Sequence, residues 1–207
     1  VIIKKLVVGP LQENCYIVGD KKTKQAIVID PGDEPDRVID ELKDNGLQVS
    51  AVILTHAHFD HIGAAGDIKK ATGAKILMHK EDMESYALAK EQAAFWGFDM
   101  DDLPEPDGFV DEGNEIKAGN LSFKVMHTPG HSKGGICLYG EGVVFTGDTI
   151  FQGSVGRTDF PGGSAEELKK SFKRLLDLPP DTKIFSGHGP DTTVGREKKE
   201  NFFVNEI

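Results

Sequence analysis

Short apolar runs rich in β-branched residues alternate with glycine-containing turns along the first third of the chain. Residues 6–8, 15–18 and 26–29 read as strands, and Gly19-Asp20 with the lysines after it turns the chain between the last two. The opening segment 1–8 is interrupted by Lys4 and Lys5 and stopped by Gly9-Pro10. It reads as a first strand and not as a signal peptide. Pro31-Gly32-Asp33 breaks the pattern. Val38, Ile39 and Leu42 then recur at helical spacing, which predicts a helix over about 35–45 with Gly46 as its stop. Residues 49–54 form the continuous apolar run of a strand buried on both faces, ending in Thr55-His56.

The pattern beyond this point predicts a helix after Ile62, a strand over 75–78 and a helical stretch over 81–95. The acidic, proline-containing segment 99–107 reads as a surface excursion, because strands resume at once near 115–116, 121–126, 136–139 and 143–145. A helix over 165–176, with Ser164 as its N-cap, precedes a last strand over 183–185. Many short strands and few helices predict an α/β architecture with helices packed outside two sheets.

The length of 207 residues suits one domain over 1–207 with a full-sized core. Lys and Arg number 24 against 34 Asp and Glu, a formal charge of −10. Such a chain is poorly suited to neutralising phosphates, which argues against nucleic acid and against an anionic membrane as partners. No apolar run approaches the roughly 20 residues that span a bilayer. The two cysteines, Cys15 and Cys137, lie far apart within strand-like runs. They read as buried free thiols, which excludes a disulfide framework and fits a cytoplasmic location.

Histidine adds chemistry to this picture. Of seven histidines, three fall in His56-Ala57-His58-Phe59-Asp60-His61, directly after the buried run. Imidazole and carboxylate are ligands for Zn²⁺, Fe²⁺ or Mn²⁺. Residues two apart in extended chain face the same way, so His56 and His58 can bind one ion. Asp60 and His61, past a bend, can point to a second. A polar ligand where a strand gives way to a glycine-containing loop recurs three times: His131 in Thr128-Pro129-Gly130-His131-Ser132, Asp148 in Thr146-Gly147-Asp148-Thr149, and His188 in Ser186-Gly187-His188-Gly189-Pro190. A rigid strand end holds a ligand well. One histidine at a strand end is more often a hydrogen-bonded structural residue. His79 and His127 are read that way, with a role for His127 in orienting a ligand as the alternative. Five histidines and two acids at four strand ends are too many for coincidence.

The segment Thr55-His56-Ala57-His58-Phe59-Asp60-His61 resembles the T-H-x-H-x-D-H hallmark of the metallo-β-lactamase superfamily, and His131, Asp148 and His188 match its later ligand motifs in order. The resemblance runs from about residue 6 to residue 190. Within the superfamily it points to the glyoxalase II (hydroxyacylglutathione hydrolase) group and its short relatives. It implies a four-layer αββα sandwich with metals at one edge of the paired sheets. It implies two divalent ions, Zn²⁺ first, with Fe²⁺ or Mn²⁺ as alternatives. His56, His58 and His131 would hold the first ion, Asp60, His61 and His188 the second, and Asp148 would bridge them. The Asp60-His61 pair follows the hydrolase pattern and differs from that typical of true β-lactamases, which argues against penicillin-type substrates. Residues 189–207 alone follow the last ligand, with Arg196, Lys198 and Lys199 in one short helix. The separate helical C-terminal domain that serves glutathione in full-length glyoxalase II is therefore not expected.

The implied activity is hydrolysis of a small-molecule thioester or related ester through a metal-bound hydroxide. Paired ions roughly 3.5–4 Å apart polarise a carbonyl, bring the pKa of water to roughly 7 and stabilise the oxyanion that forms. Asp60 is expected to orient the hydroxide as well as to bind metal. No nucleophile motif competes, since Gly-x-Ser-x-Gly is absent and neither cysteine has a neighbouring histidine. Arg157, in the loop after Asp148, is the candidate contact for a substrate carboxylate, against a plain ion pair with Asp159. Phe95, Trp96 and Phe98 read as packing, with an apolar mouth near the metals as the alternative. The rival activity is that of a persulfide dioxygenase with one iron on His56, His131 and Asp148, a branch that residues 156–160 also resemble. A phosphodiesterase or nuclease ranks third, disfavoured by the acidic charge.

Overall fold

Reversals at Gly9-Pro10 and at residues 20–24 fold the first apolar runs into an antiparallel meander of β1 (Ile2–Val8), β2 (Glu13–Gly19) and β3 (Gln25–Ile29). The structure, a computed structural model, describes residues 1–207. Three more strands join in parallel: β4 (Gln48–Ile53), β5 (Lys75–Met78) and β6 (Gly108–Phe109). Parallel neighbours need crossovers. Here α1 (Pro35–Asp44), then α2 (Phe59–Ile62) with α3 (Ala65–Thr72), then α4 (Met83–Ala87) with α5 (Ala89–Phe95), make them.

The second sheet has the order β14-β13-β10-β9-β8-β7. It holds β7 (Glu115–Ala118), β8 (Leu121–His127), β9 (Ile136–Gly140) and β10 (Val143–Gly147). A small hairpin, β11 (Ile150–Phe151) and β12 (Ser154–Val155), stands apart. The helix α6 (Ala165–Leu176) leads to β13 (Lys183–Ser186), β14 (Thr192–Thr193) and α7 (Val194–Glu200). Both sheets are mixed, since β10 and β13 pair in parallel within the otherwise antiparallel second sheet.

Strand periodicity explains the layers. In β2, Tyr16 and Val18 face the second sheet and meet Phe123, Val125 and Phe145 in a core between the sheets. Cys15 and Ile17 face the other way, into a core with Val38, Leu42 and Ile68 under α1 and α3. A third core joins Cys137, Val144 and Ile184 to Leu168, Phe172 and Leu175 of α6. Helices thus cover the outer face of each sheet in an αββα sandwich. Each fully buried large apolar side chain contributes roughly 1.5–3 kcal/mol. Both cysteines are buried free thiols. No helix is long and apolar enough to cross a membrane.

Some sequence expectations need correction. The run 49–54 is buried on both faces only in its second half, because Gln48 and Ser50 lie exposed beside β3. The helical stretch 81–95 divides at Leu88, whose φ of −98° and ψ of 6° leave helical geometry. That bend lets Tyr86, Ala89 and Ala93 all reach buried positions. The acidic excursion ends in β6, which the polar sequence around it conceals.

Candidate metal centre

Loops from both sheets converge at one edge of the sandwich. β4 runs into Thr55 and residues 56–58, and α2 then places Asp60 and His61 in a single turn. The loops after β8, β10 and β13 bring His131, Asp148 and His188. His56, His58 and His131 each bring a ligand atom within 4.8 Å of the others, and Asp60, His61 and His188 form a second such set. Asp148 lies between the sets. Its Oδ2 is 3.6 Å from His131 Nε2 and 3.8 Å from His188 Nε2, and its Oδ1 is 3.4 Å from His61 Nε2. Asp60 Oδ2 stands 3.3 Å from His188 Nε2.

Hydrogen bonds on the outer side of the rings turn lone pairs inward. His61 Nδ1 donates to Asp30 Oδ2 at 3.0 Å, and His131 Nδ1 donates to the Arg157 carbonyl at 2.8 Å. His56 Nδ1 donates to Thr55 Oγ1 at 3.1 Å, and that hydroxyl donates to Asp30 Oδ2 at 2.5 Å. A proton on Nδ1 leaves Nε2 as the ligand atom. His58 presents Nδ1 instead, 2.8 Å from His131 Nε2.

This donor set fits divalent cations. His56 Nε2, His61 Nε2 and Asp148 Oδ1 are buried without a hydrogen-bond partner. Each such orphan costs roughly 1–3 kcal/mol, and three of them where the two ligand sets meet suit bound cations. Metal ligands must also be deprotonated. Burial and the facing His61 push His56 well below its usual range, and burial with His131 pushes His58 down to about 3. Burial works to raise the Asp148 carboxyl, but His61, His131 and His188 outweigh it and hold the group ionised. Burial likewise opposes a charged His61, yet Asp148 and Asp60 raise it. A divalent cation takes the place of the proton that this negative field favours.

Tight packing fixes the loops. A Cβ on Gly187 would lie 2.3 Å from Asp148 Oδ1 and 2.6 Å from His61 Cε1, so only glycine lets β13 end against both ligands. Asn14 Nδ2 donates to the Ser186 and Gly189 carbonyls on either side of His188.

Three buried acids escaped the sequence reading. Asp30 supports His61 and, through Thr55, His56. It directly follows the apolar run 26–29, the strand-end position that singled out His131, Asp148 and His188. Asp82 accepts from Ala57 N at 3.0 Å, Ser132 Oγ at 2.8 Å and Gly134 N at 2.6 Å, tying the His56–His58 loop to the His131 loop. It sits in a short 3₁₀ turn, and no sequence periodicity marks it. Glu13 is buried with Oε1 3.8 Å from His61 Nδ1, and burial pushes its carboxyl up.

The centre forms the floor of a cavity of about 980 Å³. Arg157 lines it, but its Nε and Nη2 each donate to Asp159 at 2.6 Å and its guanidinium lies 3.9 Å above the Phe160 ring. Phe95 and Trp96 line the cavity too, at 82% and 52% exposure, as does Phe98. The packing role expected for Phe95 and Trp96 is therefore corrected: they stand at a mouth. His79 and His127 stack with centroids 4.1 Å apart, near Asp111 and away from the two ligand sets.

An αββα sandwich carrying histidines and carboxylates at one edge defines a metallo-hydrolase. The chain belongs to the metallo-β-lactamase superfamily, whose profile matches residues 8–188, and that family binds divalent metals. Hydroxyacylglutathione hydrolase GloC of Haemophilus influenzae is 39% identical, over 98% of this chain and 98% of its own. Among solved structures, the BLEG-1 B3 metallo-β-lactamase superposes with a TM-score of 0.91 at 34% identity, covering 98% of this chain and 99% of its own. TTHA1623, solved in a di-iron-bound form, superposes at 0.90 with 41% identity, covering 97% and 99%.

Proposed function

We propose that the protein hydrolyses small-molecule thioesters or related esters with two divalent ions on the ligands described. The observation that carries this is the completeness of both ligand sets around Asp148. A one-iron site on His56, His131 and Asp148 would leave Asp60, His61 and His188 without an ion to hold. The GloC relative supports the thioester class. That relative is matched over 98% of its own length, so the activity in its name belongs to a chain of matching extent.

Two divalent ions held there supply a water that deprotonates near neutral pH and a Lewis acid for the scissile carbonyl. The chain's own residues do the rest. His56, His58 and His131 would hold one ion and Asp60, His61 and His188 the other, with the Asp148 carboxylate shared between the two sets. Asp60, 17% exposed at the cavity floor, accepts a hydrogen bond from the attacking water and aligns it with the carbonyl. Asp30 and the Arg157 carbonyl keep the ligand rings from rotating as charge develops. Partners are confined to such small substrates: the acidic chain offers no path for a nucleic acid.

The test is a substrate panel on Zn²⁺-, Fe²⁺- and Mn²⁺-loaded protein and on chelated protein. It includes hydroxyacylglutathione thioesters, a β-lactam because of the B3 relative, and a persulfide with oxygen uptake recorded. Thioester hydrolysis lost on chelation and restored by metal is expected. Oxygen uptake with persulfide and no thioester turnover would overturn the proposal.

A further inference from the structure

An aromatic wall leads from the metal centre to the surface. The His58 ring meets Phe160 edge-on at 5.6 Å between centroids, Phe160 meets Trp96 at 6.4 Å, and Trp96 meets Phe95 at 5.6 Å. All four line the same cavity. Phe95 and Trp96 are 82% and 52% exposed, and Leu88, at the break before α5, is 47% exposed. Large apolar residues singly exposed need no explanation, but a continuous row running to a ligand ring does.

The charges around this wall are equally informative. The two cations of the cavity are already engaged. Arg157 is bound by Asp159 through two 2.6 Å bonds, and Lys133 lies 3.8 Å from Glu84. Glu81 and Glu91 line the mouth with no cation within 4 Å. An anionic arm along this wall meets carboxylates beside both cationic side chains, whereas an apolar arm finds rings to cover.

We infer that this wall is a subsite for an uncharged apolar arm of the substrate, an aromatic or medium-chain alkyl group, lying against Phe160 and Trp96. The inference rests on the thioester reading for what the arm is attached to, and on the wall alone for the arm's chemistry. The apolar arm belongs either to the acyl side or to the thiol side of the scissile bond, and the two are separated below.

Trp96 is the only tryptophan of the chain, so its fluorescence reports on the wall directly. The metal-loaded protein is titrated with straight-chain carboxylates of four to ten carbons and with alkanethiols of the same lengths. The expected result is a Trp96 emission change in one of the two series, with affinity rising about two- to fourfold per added methylene, the range between half and full burial of one CH₂. The series that responds identifies the side of the bond. In parallel, thioesters with a fixed thiol and a lengthening acyl chain, and the converse set, are compared by kcat/KM. Trp96→Ala is expected to flatten the length dependence to below twofold over the whole series, and the exposed position lets that variant fold. Affinity independent of chain length, or chain-length dependence without a Trp96 response and unchanged in Trp96→Ala, overturns the subsite. Length-dependent carboxylate binding with no turnover of any thioester would keep the subsite and overturn the hydrolase reading instead.

Discussion

Asp30 Oδ2 accepts a hydrogen bond from His61 Nδ1 at 3.0 Å while also taking the Thr55 hydroxyl that faces His56. One carboxylate thus orients a histidine in each candidate ligand set. Asp30→Asn keeps the shape but removes the charge that favours an Nδ1 proton. Metal affinity should fall about 10- to 100-fold, with the second ion lost first. Metal titration with a competing chelator measures it, and unchanged affinity at both positions would show that the bond is incidental.

Asp148 and His188 should differ when deleted. A carboxylate gives an oxygen to each of two cations, whereas an imidazole binds one. Asp148→Ala is expected to lower occupancy at both positions and abolish activity, and His188→Ala to deplete one. Metal per chain is counted at equal protein and metal concentration, with circular dichroism to verify folding. Two ions retained in Asp148→Ala would refute the bridging role.

Gly187→Ala tests packing at the ligands without replacing one. The new methyl meets Asp148 Oδ1 and the His61 ring, so one of them must move. Activity should drop at least about 100-fold, the scale of a displacement near 1 Å at a reacting centre. Wild-type turnover in the variant would mean that the edge of the sandwich is far more pliable than its burial suggests.

Arg157→Ala should lower activity by a similar factor on substrates with and without a distal carboxylate. Its guanidinium is already committed to Asp159 and Phe160, so its loss acts through the loop. A selective loss on carboxylate substrates would restore the sequence-based assignment of a direct contact.

Asp20 gives a pH signature. It joins the β2–β3 turn to Asn120 in the β7–β8 turn, and its carboxyl is held well below the usual range by backbone N–H groups of Asn120 and Lys22. A lowered folded pKa contributes stability above the unfolded value, about 3.9, that is lost as pH falls through the folded one. Wild type should therefore exceed Asp20→Asn in urea stability at pH 7, with the gap narrowing below about pH 4. A gap constant from pH 7 to pH 2 would assign the effect to packing.

Legibility followed the chemistry of each residue. His56, His58, Asp60 and His61 stand close together in sequence and announce themselves. His131, Asp148 and His188 were legible because each interrupts an apolar run with glycine beside it. Asp30 obeys the same rule, yet the Pro31-Gly32-Asp33 break beside it reads as a turn and masked it. Asp82 was illegible because its partners are two backbone amides and a serine hydroxyl brought together only by tertiary folding. The sandwich itself followed from strand-like runs with helices between them, whereas β6 and β11 are too short for period-two alternation to register.

The ligand loops also carry a timetable. The first sheet contributes its ligands in one unbroken stretch, residues 56–61, while the second contributes His131, Asp148 and His188 from three separate loops. During synthesis an ion that meets the nascent chain early finds only the first stretch, and neither set closes until β8 and then β13 have docked. Each candidate set thus needs at least one loop from the second sheet, so selection of an ion by the full donor set waits on the two sheets meeting.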